Sequence, residues 1–539
     1  MKSIRLYDTT LRDGTQGEKI SFTAQDKLKV ARKLDDMGIH YIEGGWPGAS
    51  AKDFDFFQLA AKETFQHARI AAFCATHKHG STPEDDRQLN VVLESGAPVG
   101  TIVGKTWDLH VTKILGIPLE ANLEMIENSV AYLKKNGLEV HYDAEHFFDG
   151  YKENPEYAAR TIRAAVAGGA DAICLCDTNG GALPHEIEEI TTAIREVIDS
   201  CTDRPIHIGI HTHNDSNLAV ANSIVAVRAG ATIVQGTING YGERCGNADL
   251  TSIIPILQLK MGYACISEEN LAKLQKVSLY VSETANMTPV NSRPFVGKSA
   301  FTHKGGLHVD AIMKEPRSYE HITPELVGNR RRVLISDMAG KGNIRYKARE
   351  LGFPVDENGY DYAEIVNTVK RLEQEGYQYD VADGSLRILM EKLTDQFQPC
   401  FELESFRVTV EKEKDRPCRS HAMIKINVEG IEEITAAEGH GPVSALDNSL
   451  RKALNNVYRN VLDPVHLVDF KVRVLDGRDG TGAKVRVLIE SRDEETIWST
   501  IGVSEDIIEA SWQALADSFQ YKLARITNGN NQSVQEQGK

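Results

Sequence analysis

Ile206-His207-Ile208-Gly209-Ile210-His211-Thr212-His213-Asn214-Asp215 opens as a short apolar strand and closes on two histidines separated by one residue. Alternate residues of a strand share a face, so both imidazoles project to the same side. Working outward, apolar runs at Ile4–Tyr7, Tyr41–Glu43, Ile70–Ala75, Val99–Val103, Glu139–Asp143, Ala172–Cys176 and Thr232–Gly236 recur at roughly thirty-residue spacing. Amphipathic segments separate them. Thr23-Ala24-Gln25-Asp26 resembles a capping box, Leu28, Val30, Ala31, Leu34 and Met37 form one apolar face, and Gly38 stops the helix. Eight such units fit a closed (β/α)8 barrel better than an open doubly wound sheet, and no GxGxxG follows the first strand. The expected class is α/β: a TIM barrel over 1–265, helical linker subdomains over 266–395, and a C-terminal α+β domain over 396–528.

His-x-His alone is weak evidence for a metal. In a closed eight-stranded barrel, however, strands seven, eight and one are neighbours, and the residues past their C-terminal ends meet at one rim. Asp13, in Asp8-Thr9-Thr10-Leu11-Arg12-Asp13-Gly14-Thr15-Gln16, follows strand one. Asn247, in Gly240-Tyr241-Gly242-Glu243-Arg244-Cys245-Gly246-Asn247, follows strand eight. Asp13, His211, His213 and Asn247 are therefore the expected metal set. Two nitrogen and two oxygen ligands suit Mn²⁺, Mg²⁺, Co²⁺ or Zn²⁺, with positions left for a chelating substrate.

Arg12 adjoins Asp13 and is placed to stabilise a developing alkoxide. A salt bridge to Glu43 is the plainer reading, and the two agree if Glu43 orients the guanidinium. Glu145 and Thr178 follow strands five and six at the same rim, one suited to deprotonate through a water, the other to donate to a substrate carboxylate. Polar rim residues are as readily structural. Gly240, Gly242 and Gly246 permit close backbone approach around Asn247. Thr302-His303-Lys304-Gly305-Gly306-Leu307-His308-Val309-Asp310 lies outside the barrel, and by composition alone it reads as a solvated loop.

The 539 residues carry a formal charge of -16, which argues against a nucleic-acid binder. Arg330-Arg331-Arg332 is read as a solvated helix start or an interdomain contact rather than an anion site. Eight cysteines without a CxxC pair suggest a reduced, cytoplasmic protein. No signal peptide is expected before the first strand, and no apolar run is long enough to span a bilayer. In the C-terminal part, Phe406–Val410 and Met423–Val428 precede helical Val443–Val457. Val468–Val474 and Lys484–Ile489 likewise precede helical Glu505–Phe519, an internal repeat of two α+β units suited to ligand sensing or dimerisation. The polar tail 529–539 is expected to be disordered.

The three site segments together resemble the metal-dependent acyl-CoA condensing enzymes, the family of the 2-isopropylmalate, homocitrate and citramalate synthases. The likeness covers nearly the whole chain. It rests on the Arg-Asp-Gly segment, on His211–Asp215, on Gly242–Asn247, and on Gly439-His440-Gly441-Pro442-Val443, similar to the glycine-rich turn of the family's regulatory domain. The resemblance implies metal binding by Asp13, His211 and His213, with Asn247 in or near the shell. It implies alkoxide stabilisation by Arg12, carboxylate binding by Thr178, and enolisation of acetyl-CoA by Glu145 with His308 from a neighbouring subunit. Tyr41-Ile42-Glu43-Gly44-Gly45-Trp46-Pro47-Gly48 is similar to the citramalate-forming branch, with a bulky Trp46 narrowing the pocket towards pyruvate. That branch implies condensation of acetyl-CoA, pyruvate and water to (R)-citramalate and CoA, on a route to isoleucine. It also implies a homodimer or larger assembly inhibited by a branched-chain amino acid, isoleucine foremost. The alternatives are a 2-isopropylmalate synthase acting on 2-oxoisovalerate and, less in keeping with the Gly-Glu-Arg-Cys-Gly-Asn loop, a related acyl-CoA lyase.

Overall fold

The structure, a computed structural model, describes residues 2–353, 361–475, 480 and 482–536, with side chains described as far as residue 526. The side chains of the tail 529–539 thus lie outside the described residues. Two compact units are present: Met1–Phe301 with Ile322–Arg331, and Thr302–His321 with Arg332–Lys539.

In the first unit eight parallel strands close a barrel in sequential order. They are β1 (Arg5–Asp8), β2 (Tyr41–Gly45), β3 (Arg69–Ala75), β4 (Val99–Lys105), β5 (Glu139–Glu145), β6 (Ala172–Asp177), β7 (His207–Thr212) and β8 (Ile233–Gly236). Closure is made by β8 on β1, with Asp8 opposite Gly236. Several strands run one or two residues past their apolar runs, to Lys105, Glu145 and Asp177. The ladder continues where the side chains turn polar, because those last positions form the rim. The helix Ala24–Met37 carries the expected capping box at Thr23 and Asp26, and Gly38 ends it at φ 89°. Leu28, Val30, Ala31, Leu34 and Met37 are buried. Each fully buried leucine of this kind contributes about 2 kcal/mol over an exposed one.

The barrel interior is not filled with aliphatics alone. Tyr7 and Tyr41 stack at 5.7 Å between centroids, and His141 meets the edge of Tyr41 at 4.9 Å. The Tyr7 hydroxyl donates to Glu43 at 2.7 Å and lies 2.6 Å from Thr101 Oγ1. Past β8 the helix Leu274–Thr284 belongs to this unit too. Leu274, Val277 and Val281, spaced for one helical face, are buried in the core of this unit, as is Leu271 at the end of the short helix before it.

In the second unit β9 (Thr302–His303) pairs in parallel with β10 (Arg332–Val333). Arg332 thus opens a strand, against the helix start that was one of the two readings of Arg330-Arg331-Arg332. Helices Lys341–Glu350, Tyr362–Gln374 and Asp383–Leu393 share a core containing Ile344, Ile365, Val369, Leu386 and Met390. The repeat that follows has three strands per unit, not two. The first has β11 (Glu402–Glu411), β12 (Arg419–Val428) and β13 (Ile431–Gly439) before helix Pro442–Asn455. The second has β14 (His466–Val474), β15 (Val485–Arg492) and β16 (Ile497–Ser504) before helix Ile507–Glu536.

The third strands escape a pattern search for physical reasons. In β13 Thr435 is the single buried residue, so apolar alternation is absent. It is tied to the helix by polar bonds: Thr435 Oγ1 donates to Ser449 O at 2.7 Å, and Ser449 Oγ donates to Thr435 O at 3.0 Å. β16 is buried on both faces over Thr500–Val503, which also erases a period of two.

Candidate active site

The turn after β1 is built by Asp8. Its carboxylate accepts from Thr10 N at 2.9 Å and Thr10 Oγ1 at 2.8 Å, and Thr10 Oγ1 in turn accepts from Ile238 N at 2.8 Å. This pins the turn to the end of β8 and presents Arg12 and Asp13 at the rim. β7 delivers His211, and one bridge beyond it His213 pairs antiparallel with Asn247. Asn214 N donates to Gly246 O at 2.8 Å, and Asn247 N to Gly240 O at 3.1 Å. Gly246 sits at φ 90°, where a Cβ would stand 2.1 Å from Gly240 O, so no other residue closes this loop.

Four side chains converge there. His211 Nε2 lies 3.2 Å from His213 Nε2 and 3.2 Å from Asp13 Oδ2, with His213 Nε2 3.9 Å from the same oxygen. Asn247 Nδ2 donates to Asp13 Oδ2 at 2.6 Å, while Asn247 Oδ1 is buried without a partner. All four residues are at most 5 % exposed. Atoms that ligate one ion at about 2.1 Å stand roughly 3.0–3.4 Å from one another. Two imidazole nitrogens and a carboxylate oxygen, with two of their three separations in that range and the third at 3.9 Å, fit a divalent cation beside an unused amide oxygen.

The neighbouring charges act on this set in different directions. Against its burial, Arg12 and His211 hold the Asp13 carboxyl well below the usual carboxylate range. Burial, helped by His211, pulls the His213 imidazole down to about 3. At His211 burial also pulls down, but the hydrogen bond and charge of Asp13 prevail and raise it. His211 Nδ1 is 2.9 Å from Gln235 Oε1, and Gln235 Nε2 donates to Asp143 Oδ1 at 3.0 Å. Because the amide nitrogen is committed to Asp143, its oxygen must accept, which puts the proton on Nδ1 and leaves the Nε2 lone pair for the ion.

A cavity of about 620 Å³ opens over these residues, lined by Arg12, Asp13, Glu145, Thr178, His211 and His213 among others. That is room for a small acid and part of a larger co-substrate. The Arg12 guanidinium lies 4.0 Å over the Phe73 ring, pairs through Nε with Glu43, and is 3.5 Å from Asp13 Oδ1. Glu145 is paired with Lys105. Thr178 Oγ1 accepts from His146 N at 2.9 Å, which leaves its hydroxyl proton free to donate. Trp46, also on the cavity wall, meets Phe73 edge-on at 5.2 Å and donates from Nε1 to Gln88.

Residues 3–281 match the HMGL-like family, 295–377 the homocitrate synthase post-HMGL domain-like family, and 380–523 the LeuA allosteric (dimerisation) domain. The (R)-citramalate synthase of Geobacter sulfurreducens is 52% identical over 524 residues, 97% of this chain and 98% of that protein. That of Aquifex aeolicus is 50% identical over 525 residues, with the same two shares. The chain belongs to the (R)-citramalate synthase family. Among solved structures, the HMG-CoA lyase of Bacillus subtilis aligns with a TM-score of 0.46 at 22% identity, covering 54% of this chain and 97% of its own.

In this member of the (R)-citramalate synthase family, the barrel brings together Arg12, Asp13, Asn247, His211, His213, Glu145 and Thr178. Glu43 is the salt-bridge partner of Arg12 that the sequence offered. It is fully buried, with one oxygen taken by Arg12 and the other by Tyr7, so it meets any substrate through the guanidinium. His308 is carried by the second unit, on helix Gly306–Lys314, where its exposed ring stacks on Tyr319 at 4.3 Å. The sequence reading passed over Gln235, Asp143, Lys105 and Phe73. A signal existed for two of them: Asp143 lies two before Glu145 on β5 and so shares its face, and Gln235 is a polar residue inside the apolar run of β8.

Proposed function

We propose that this protein is a transferase that condenses acetyl-CoA with pyruvate and water, giving (R)-citramalate and CoA. The observation that carries this reading is the convergence of His211 Nε2, His213 Nε2 and Asp13 Oδ2 under the cavity, in a chain about half identical to (R)-citramalate synthases along its length. Asp13, His211 and His213, with Asn247 beside them, would hold a divalent cation, which would supply Lewis acidity to the keto group of a 2-oxoacid. Mn²⁺, Mg²⁺, Co²⁺ and Zn²⁺ all suit the donors.

The remaining work falls to the chain's own side chains. Thr178 donates to the acid's carboxylate. Arg12, locked by Glu43 and backed by Phe73, places its charge where the keto oxygen becomes an alkoxide, and a fixed donor of this kind needs no reorganisation as charge develops. Glu145 takes the methyl proton of acetyl-CoA, directly or through a water, and Lys105 orients it. A placed base contributes about 10²–10⁴-fold. His308 assists from a neighbouring subunit, a reading supported by its exposed ring. Trp46, propped against Phe73 and Gln88, keeps the acyl pocket short enough to favour pyruvate.

The C-terminal repeat serves self-association and binding of a branched-chain amino acid, isoleucine foremost, so that the route's end product inhibits the barrel. Its exposed Met423, Ile434 and Ile497 support a surface that another copy covers. The deciding experiment measures CoA-thiol release from acetyl-CoA with Mn²⁺ or Mg²⁺ and pyruvate, 2-oxoisovalerate or 2-oxoglutarate. Preference for pyruvate is expected. Preference for 2-oxoisovalerate would keep the chemistry and overturn the substrate.

A further inference from the structure

A second set of ligand atoms lies inside the barrel beside the first, with Cys176 in register with His211. Asp143 on β5 stands in register with Cys174 on β6, and Cys174 and Cys176, two apart, turn their thiols to the same side. One Asp143 oxygen and the two sulfurs are all within 4.8 Å of one another. The three residues are 2–5 % exposed, and Asp143 and Cys176 form part of the cavity lining, which gives an ion a way in. Across the ladder, Cys174 faces Gly209 on β7, where a Cβ would come within 3.2 Å of the Cys174 sulfur. The missing side chain leaves that sulfur clear. The interior of such a barrel is ordinarily packed with branched aliphatic residues, so two thiols and a carboxylate facing one another need an explanation.

We propose that Asp143, Cys174 and Cys176 form a second cation site, selective for a thiophilic divalent ion of the Zn²⁺ or Cd²⁺ class. Sulfur ligands discriminate against Mg²⁺ and Mn²⁺, which leaves those two ions to the first set. Binding is an exchange: each thiol releases its proton to solvent, two metal–sulfur bonds form, and the carboxylate completes three protein ligands. Asp143 is also the acceptor for Gln235 Nε2. An ion that takes Asp143 Oδ1 removes the partner that fixes Gln235, and through it the tautomer of His211. A thiophilic cation is thus an inhibitor of the Mg²⁺-supported protein. This consequence rests on the reading of His211 as a ligand of the first ion, whereas the second site itself does not.

The test is a Cd²⁺ titration of the full-length protein in excess Mg²⁺, following the ultraviolet thiolate-to-Cd²⁺ charge-transfer band and proton release in weak buffer. The wild type is expected to show a band saturating at one Cd²⁺ per chain, with matching proton release. Cys174→Ala should lose the band, and Asp143→Asn, which keeps both thiols and the side-chain volume, should weaken Cd²⁺ on the order of tenfold. Asp13→Asn should keep the band, which separates this site from the first one. No band in the wild type overturns the proposal. So does a band undiminished in Cys174→Ala, since exposed Cys201, Cys245 or Cys418 would then be its source. If Cys174→Ala fails to fold, Asp143→Asn decides alone: an unchanged Cd²⁺ affinity there overturns the site as assigned.

Discussion

Replacing Gln235 with leucine removes one amide and leaves every expected metal ligand in place, so it tests whether the ion site is set by geometry behind the ligands. In the wild type the amide spans from His211 Nδ1, at 2.9 Å, to Asp143 Oδ1, at 3.0 Å. Leucine accepts nothing. His211, 5 % exposed, must then either leave Nδ1–H buried without an acceptor or move its proton to Nε2, facing Asp13. The first choice costs about 1–3 kcal/mol, the penalty of an unsatisfied buried donor. The second puts a proton where the ion should be, and it must be displaced on binding. Either way the affinity for the ion falls, by about 10–100-fold as for other partners that orient metal-bound histidines, or about 1.4–2.7 kcal/mol. The assay is the activation constant for Mn²⁺ at saturating acetyl-CoA and pyruvate, paired with calorimetric Mn²⁺ binding without substrates. Gln235→Leu should raise both constants together, with kcat largely recovered at high Mn²⁺. Gln235→Glu keeps an acceptor for His211 but sets a second carboxylate against Asp143, which burial and the charge of Glu43 already push up to about 6. The pair can share a proton, so its shift should be smaller. An unchanged Mn²⁺ constant in Gln235→Leu, with activity lost in kcat alone, would refute the reasoning.

Asp13→Asn should nearly abolish turnover even at saturating metal, because it removes a ligand charge, while Glu145→Gln should retain residual activity, down about 10²–10⁴-fold; wild-type turnover in Asp13→Asn sinks the assignment. Trp46→Ala should raise the kcat/KM ratio of 2-oxoisovalerate to pyruvate about tenfold or more, in line with the leverage of an apolar pocket wall, and an unchanged ratio removes Trp46 as the specificity determinant. Asp8→Asn tests a buried carboxyl away from the reacting groups. Burial lifts the Asp8 carboxyl from 3.8 to about 7 even though Thr10 hydrogen bonds pull it down. The folded chain therefore holds a proton that the unfolded chain has lost, and stability declines as pH rises from about 4 to about 7. The asparagine variant lacks this decline, so it should gain up to about 4 kcal/mol over the wild type in barrel stability between pH 4 and pH 8. Parallel profiles of barrel melting temperature against pH would rule that out.

Why some of this was readable in the chain and some was not follows from how far apart the interacting residues lie. The barrel was legible because each strand is locally apolar and each helix locally amphipathic. The capping box at Thr23 and the apolar face from Leu28 to Met37 need no distant partner to declare themselves. The rim was legible for a different reason: closure of eight strands forces the ends of β7, β8 and β1 together whatever the side chains are. Asp13 and Asn247, 234 positions apart, could be joined on topology alone. Neither argument reaches the inside of the barrel. There Gln235 and Asp143 are 92 residues apart, and each reads singly as a polar blemish in an apolar strand. Glu43 was legible only in part for the same cause, its pairing with Arg12 being readable from the two adjacent rims. Its second partner, Tyr7, looks like core until β1 and β2 are laid side by side, and that partner is what fixes Glu43 as a brace for Arg12. In β13 the failure runs the other way, since a strand held by Thr435 and Ser449 rather than by apolar contacts leaves no periodic trace. Patterns of hydrophobicity thus locate where chemistry can occur. Which nitrogen carries a proton, and which carboxylate fixes it there, is decided by pairs that meet only after the barrel has closed.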